Sequence, residues 1–248
     1  MMQITDTVKH LIIINVIVFV GTITVGNDMF YELFGMHFPK SNSFELWQII
    51  THMFMHGGFM HVAFNMLALW MFGSPVEQVL GSKRFLFIYF SAGLGAVALQ
   101  TGYYYWQFLP DYQSLLNAGL STESIKEMLT SGQTTGNLSQ IQVDQLRQIY
   151  PIYNALMVGA SGCIMGILVA FGMMNPEARL MLIFLPIPIK AKYFIPGIII
   201  LDLVSGLTGQ SFFSPSNTAF FAHVGGALVG FLIMWYWKKN QFNDKRWY

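Results

Sequence analysis

Four side chains in this sequence have the right chemistry to cut an amide bond together. They are Ser161 in "MVGASGCIMG", His223 in "FAHVGGALVG", and His61 with Asn65 in "GGFMHVAFNM". A serine hydroxyl is a weak nucleophile until a base takes its proton. His223 is such a base, and it can return that proton to a leaving amine. The oxyanion formed on attack needs preorganised donors. Asn65 offers an amide N–H, His61 a ring N–H, and Ser161 its backbone N–H if the serine begins its helix. Losing one such donor typically costs about 2.7–4 kcal/mol of transition-state stabilisation.

Each residue alone has a plainer reading. Serine in an apolar helix usually bonds the carbonyl one turn back. A lone histidine or asparagine can be a hydrogen bond between helices. The joint occurrence shifts the balance. Asp202, in "IIILDLVSG", is the one acid well inside an apolar run. It is expected to be structural, bonding one helix to another, so the set reads as a Ser–His dyad rather than a triad. The soluble-hydrolase G-x-S-x-G elbow does not fit, because Cys163 stands where its last glycine would be. Zinc fits poorly as well. His52, His56 and His61 come in "THMFMHGGFMH", without the glutamate of H-E-x-x-H. No cofactor and no metal are expected.

The elements that position these residues are membrane helices. The 248 residues are 54% hydrophobic and only 10% charged, against about 25% charged in a typical soluble domain. A net charge of +1 argues against a nucleic-acid partner. The single cysteine, Cys163, excludes an intramolecular disulfide framework and a multi-cysteine metal site. A span needs about 20 mostly apolar residues, and six segments qualify, at roughly 8–26, 57–79, 85–106, 155–174, 193–209 and 218–237. The first is read as a helix rather than a signal peptide, because no small-x-small cleavage site ends it and further spans follow. "LMLIFLPIPIKAKYF", before the fifth span, is read as an interfacial loop. Including it would draw Lys190 and Lys192 toward the hydrocarbon, at about 2.5–3.5 kcal/mol each.

Lysine and arginine set the orientation. With the N-terminus inside, inner segments hold Lys9, Lys83, Arg84, Arg179, Lys190, Lys192, Lys238, Lys239, Lys245 and Arg246, whereas outer segments hold Lys40, Lys126 and Arg147. The expectation is one polytopic membrane domain over 1–248, N-in and C-in, with a long outer insertion at about 107–154. Within the insertion, Ser121 or Thr122 caps a short amphipathic helix carrying Ile125, Met128 and Leu129, and "LSQIQVDQLRQIY" has a similar spacing. The insertion reads as a surface ornament, or alternatively as a contact for substrate or lipid. In this topology spans two, four and six start from the outer side. Counted from the starts of those runs, Ser161, His223, His61 and Asn65 lie roughly 6–12 Å deep at about 1.5 Å per residue. Gly162 with Gly166 and Gly226 with Gly230 are GxxxG pairs that let spans four and six approach.

These residues resemble the rhomboid family of intramembrane serine proteases. "GASG" at 159–162 is similar to that family's G-x-S-G, which implies Ser161 as nucleophile. "AHVGGALVG" at 222–230 resembles its histidine helix, which implies His223 as general base. "HVAFN" at 61–65 resembles its H-x-x-x-N, which implies His61 and Asn65 in the oxyanion hole. The runs "WQIITHMFMHGGFMHVAFNM" and "LPIPIKAKY" are similar to family segments too. The resemblance covers most of the chain from about 44 to 237, except the insertion. It implies six helices around a cavity open to the outside, with a mobile fifth helix and following loop. "GLTGQSFFSPSNTAF" at 206–220, with Phe212, Phe213 and Phe220, suits such a cap. Two positions depart from the pattern. Many members carry an aromatic residue four after the serine, where this chain has Met165, and the tryptophan–arginine pair of many members is Trp47–Gln48 here.

The expected activity is endoproteolysis of single-span membrane proteins near the outer face, in contact with membrane lipid and without nucleic acid or metal. The expected location is a multi-pass protein of a bacterial cytoplasmic membrane. A non-catalytic rhomboid-like protein that binds membrane clients is the alternative. A transporter lacks support, because no internal repeat is visible.

Overall fold

The computed structural model describes residues 3–182, 185–211 and 219–240. Its elements, in chain order, begin with α1 (Asp6–Val25), α2 (Asn27–Phe34), β1 (Met36–His37), α3 (Gln48–Thr51) and α4 (Phe59–Ala68). A π-helical turn, Leu69–Gly73, joins α4 to α5 (Ser74–Leu80). Then come α6 (Ser82–Asn117), α7 (Thr122–Ser131), α8 (Gln140–Tyr153), β2 (Leu156–Met157) and α9 (Ser161–Met174). The chain continues through β3 (Arg179–Leu182), β4 (Leu185–Lys190), α10 (Ala191–Thr208) and α11 (Phe220–Asn240).

Five of these segments are long and apolar enough to cross a membrane: α1, α4–α5 taken together, α6, α10 and α11. The sixth expected span is α9, an apolar helix of 14 residues. At about 1.5 Å per residue it covers roughly 21 Å. Every residue from Gly162 to Ala170 is buried, so α9 is the centre of an all-α membrane bundle, packed by α6, α10, α11 and the α4–α5 segment. A helix apolar on every side is stable only in such a position. Its N-terminal extension was expected to be helical from 155. Instead the chain is extended there, and β2 pairs antiparallel with β1, Met36 opposite Met157 and His37 opposite Leu156. The backbone groups of this stretch are paired strand to strand, and the side chains of Met36 and Met157 are buried.

Glycine sets the spacing of α6, α9 and α11. A Cβ added at Gly226 would lie 2.0 Å from the Gly162 carbonyl oxygen, and one at Gly230 would lie 2.6 Å from Gly166 Cα. On the other side of α11, a Cβ at Gly225 would lie 2.4 Å from the Gly95 oxygen of α6. At the opposite end of the bundle, Glu77 of α5 fastens the start of α1. Its carboxylate accepts from the Thr5 hydroxyl, from the N–H groups of Thr7 (3.2 Å) and Val8 (3.0 Å), and from the Ser82 hydroxyl (2.7 Å). The negative group therefore meets the unpaired donors of a helix N-terminus.

Two further sequence expectations change. The third span was expected to end near 106, but α6 continues to Asn117. The insertion is consequently an extension of α6 on which α7 and α8 fold. It has a hydrophobic cluster of its own, including Phe108, Leu115, Ile125, Met128, Leu129, Leu146 and Ile149. Ser121 does cap α7, accepting from Ser124 N–H at 3.1 Å, and Ser139 with Gln142 forms a reciprocal capping box on α8. The segment before the fifth span is not an open loop but the antiparallel hairpin β3–β4, Arg179 opposite Lys190. Glu177 bridges Lys190 (2.7 Å) and Lys192 (2.5 Å) at its base, and these two ammonium groups hold the exposed carboxyl down at about 2. Of the expected cap segment, Phe220 opens α11 and is buried, while Phe212 and Phe213 lie outside the described residues.

Candidate active site

The four residues singled out in the sequence gather where α4, α9 and α11 begin. Ser161 is the first residue of α9, His61 the third of α4, and His223 the fourth of α11, with Asn65 one turn further along α4. All four therefore belong to first or second turns. Ser161 was expected inside a longer helix; as a first residue it brings an unpaired backbone N–H with it. The first intrahelical bond of α9 comes later, from Ile164 N–H to Ala160.

Ser161 Oγ lies 2.9 Å from His223 Nε2. The other ring nitrogen, Nδ1, lies 2.9 Å from Asp202 Oδ2. Asp202, expected only as a bond between helices, makes one from α10 to α11, and its partner is the histidine ring. Ser161, His61 and His223 are half-buried, while Asp202 and Asn65 are buried. The Ser161 hydroxyl is thus reachable, and Asp202 and Asn65 are not. Gln100 of α6, buried, accepts from the Ala222 N–H at 3.2 Å and so braces the first turn of α11 beside the histidine.

The approach to Ser161 is shaped by Gly159. Its φ is +125°, a conformation that side chains rarely adopt, and an added Cβ would fall 2.8 Å from His61 Nε2. Its N–H donates to the His52 carbonyl at 2.9 Å. Buried His52 is itself fixed by a 2.8 Å bond between its Nδ1 and the Gln48 carbonyl. His61 therefore lies directly against the backbone that leads into Ser161. Its Nδ1 accepts from Gly57 N–H at 3.3 Å. A neutral His61 ring then carries its proton on Nε2, the edge turned to Gly159. His56 packs edge-on against the same ring, with centroids 5.1 Å apart.

Two contributors escaped the sequence reading. Gln48, noted only as a departure, is completely buried. Its amide donates to the carbonyls of Glu32 (3.0 Å) and Ser43 (2.8 Å), and its oxygen accepts from the N–H groups of His37 (3.3 Å) and Glu45 (3.1 Å). This one side chain ties together the loop that precedes α4. Trp47 beside it donates to the Leu33 carbonyl at 2.7 Å. The available signal was a neutral carboxamide beside an exposed tryptophan, which does not reveal four backbone partners. Gln100 is the second. A glutamine within an apolar span is a flag for a buried hydrogen bond, but its partner lies 122 positions away.

Fold and site together describe a polytopic helical membrane protein that holds a serine–histidine pair at one end of its bundle. Comparison with known proteins gives the family. The Rhomboid domain model matches residues 43–240, and the chain belongs to the rhomboid family. It is 28% identical over 215 residues to the rhomboid protease AarA of Providencia stuartii, covering 81% of this chain and 59% of AarA. It is 49% identical over 55 residues to the rhomboid protease GluP of Bacillus subtilis, covering 22% of this chain and 11% of GluP. It is also 27% identical over 201 residues to the human mitochondrial presenilin-associated rhomboid-like protein, covering 79% of this chain and 40% of that one. The chain thus spans between about a tenth and three fifths of the length of these relatives.

Proposed function

We propose that this chain is an intramembrane serine endopeptidase that cleaves transmembrane protein substrates near the outer membrane face. The observation that carries the reading is the 2.9 Å approach of Ser161 Oγ to His223 Nε2. Family membership supports it, as do the protease names of AarA and GluP.

In this reading Ser161 Oγ attacks the scissile carbonyl carbon while its proton passes to His223 Nε2. The negative charge that develops on the carbonyl oxygen is met by the Ser161 N–H at the start of α9, by His61 Nε2–H and by the Asn65 amide. Collapse breaks the C–N bond, and Nε2 returns the proton to the leaving nitrogen. An ester on Ser161 remains. A water molecule then attacks the ester, giving its proton to Nε2. The serine departs, recovering that proton, and leaves a carboxylic acid product. The half-buried position of Ser161 suits this chemistry, since both a substrate strand and water must reach it.

The chain is assigned an N-in, C-in topology because ten of its thirteen basic residues then face inward. The site end of the bundle, with the insertion, is outside. Single-span membrane proteins are the substrate class and lipid is the surrounding partner. The bacterial relatives support a bacterial cytoplasmic membrane.

The test is incubation of purified protein with a panel of tagged single-span substrates, followed by mass mapping of the cut site. Wild-type protein is expected to cut within or just outside the apolar span, and to react with a serine-directed phosphonate at Ser161. Ser161→Ala is expected to abolish both without loss of fold. Cleavage that continues at the wild-type rate in Ser161→Ala refutes the reading. A folded wild-type protein that neither cuts nor labels would favour client binding without catalysis.

A further inference from the structure

We propose that Asp202 is a positioning residue for His223, so that the reacting pair works as an Asp202–His223–Ser161 series whose acid is supplied by a separate helix. The inference rests on the hydrolase reading above and extends it. The two contacts lie on opposite edges of one imidazole: Nδ1 to Asp202 Oδ2 at 2.9 Å, and Nε2 to Ser161 Oγ at 2.9 Å. A carboxylate accepts hydrogen bonds and cannot donate one. The Nδ1 edge must therefore carry the proton, which leaves the Nε2 lone pair facing the serine hydroxyl. That is the tautomer a general base needs. When Nε2 takes up the serine proton, the carboxylate is already in place beside the cation that forms.

Location supports the same assignment. The Asp202 side chain is only 9% exposed, in the middle of an apolar helix. An ionisable group at such a depth is costly unless a specific partner offsets it. The other buried residues of α10 are Ala191, Ile195 and Ser205, so Asp202 is its one buried ionisable group. The residue one turn below Ser161 is Met165, buried among Leu168, Val169 and Ala227. A flexible thioether offers neither a flat face nor a strong hydrogen bond to fix an imidazole. Ring orientation therefore falls to the carboxylate. Ser161 and His223 sit on α9 and α11, which meet through glycine backbones, whereas Asp202 comes from α10. The orienting bond exists only while α10 is docked on α11.

The experiment compares wild type, Asp202→Asn and Asp202→Glu, with exposed Asp144→Asn as a control. Three quantities are read: kcat and KM on a membrane-anchored reporter, the rate of phosphonate labelling at Ser161, and the thermal midpoint in detergent. Asp202→Asn keeps size and hydrogen bonding but lets the amide donate to Nδ1, which places the proton on the wrong nitrogen. We expect kcat and labelling to fall by about 10²–10⁴-fold, the upper end being the effect of the equivalent change in a soluble triad. KM and thermal midpoint are expected to stay near wild type, Asp202→Glu to recover part of the rate, and Asp144→Asn to match wild type. A low-field proton resonance of the His223 Nδ1–H, recorded with ¹⁵N-histidine in a Ser161→Ala background, is expected to disappear on adding Asp202→Asn.

An Asp202→Asn protein with wild-type kcat and labelling overturns the proposal. So does a loss of rate that only follows a fall in thermal midpoint, which is the mark of a merely structural bond. Failure of the hydrolase reading looks different, because the wild type itself then neither cleaves nor labels.

Discussion

Around Ser161 the helices touch through backbone, whereas in the 107–154 insertion they touch through side chains. The α9–α11 contact has glycine facing glycine, with no room for one methyl group. The α6–α7–α8 cluster is built from Phe108, Leu115, Ile125, Leu129 and Ile149, each almost wholly buried. The difference follows from the surroundings. In lipid, burying a leucine between helices gains little over leaving it among acyl chains, so close backbone packing does the work. In water, burying the same leucine is favourable at about 25 cal/mol per Å². Backbone packing also holds distances more rigidly, since no rotamer can absorb an error. That suits a serine–histidine pair held 2.9 Å apart. A side-chain core yields more gradually and sits beside the site rather than within it.

The sharpest way to break this contrast is Gly226→Ala. The new Cβ would fall 2.0 Å from the Gly162 oxygen, next to Ser161. The helices must part, and a misplacement of about 1 Å is enough to cost roughly 10²-fold in rate. We expect phosphonate labelling of Ser161 to fall at least that far, along with the thermal midpoint. Gly102→Ala, where an added Cβ meets nothing within 4 Å, should leave both as they were. Equal behaviour of the two variants would remove the role given to backbone contact.

Next in size is Leu129→Ala, at 1% exposure in the insertion's cluster. A buried leucine cut to alanine typically loses about 2–5 kcal/mol. Limited proteolysis between 107 and 154 should become faster, with labelling of Ser161 unchanged. Lost labelling would mean that the insertion holds the chain leading into α9, joining the two regions that the contrast separates.

The smallest effect concerns their junction. His37 is paired with Leu156 in the β1–β2 ladder that leads toward Ser161, and it directly precedes Phe38 of the insertion's cluster. Burial depresses its basicity below the usual 6.5. The unfolded chain then binds a proton more readily than the folded one, so stability is fully present above pH 6.5 and declines as pH falls below it. His37→Gln is expected to flatten that slope in thermal melts between pH 7 and 5. An unchanged slope would show that His37 does not report on this junction.

Much was legible because membrane helices write their composition plainly. Six apolar runs were visible, and five of the helices reach spanning length. A cap at Ser121 or Thr122, and Ile125, Met128 and Leu129 as the buried face of α7, followed from local chemistry; the structure puts the cap on Ser121. The extent of α6 did not. Apolarity ends where a membrane ends, but α6 continues beyond that point because α7 and α8 cover one face of it. The hairpin at 179–190 was hidden too, since Pro186 and Pro188 look like loop punctuation and strand pairing depends on a partner.

The site divides in the same way. Residue type and order marked Ser161, His223, His61 and Asn65, because few other polar groups enter apolar runs and each is costly there. The sequence by itself therefore determined which groups are available, whereas the start of α9 at Ser161 came from the β1–β2 pairing before it. Tertiary structure decided who meets whom. The rotation of α10 turns Asp202 onto the His223 ring, Gln48 finds four backbone partners in α2, β1 and the chain after them, and Gln100 reaches α11 from α6. A helical period fixes which face a side chain occupies, but not which neighbour that face will find. That depends on how closely the backbones pack, and here glycines on three helices set the distance.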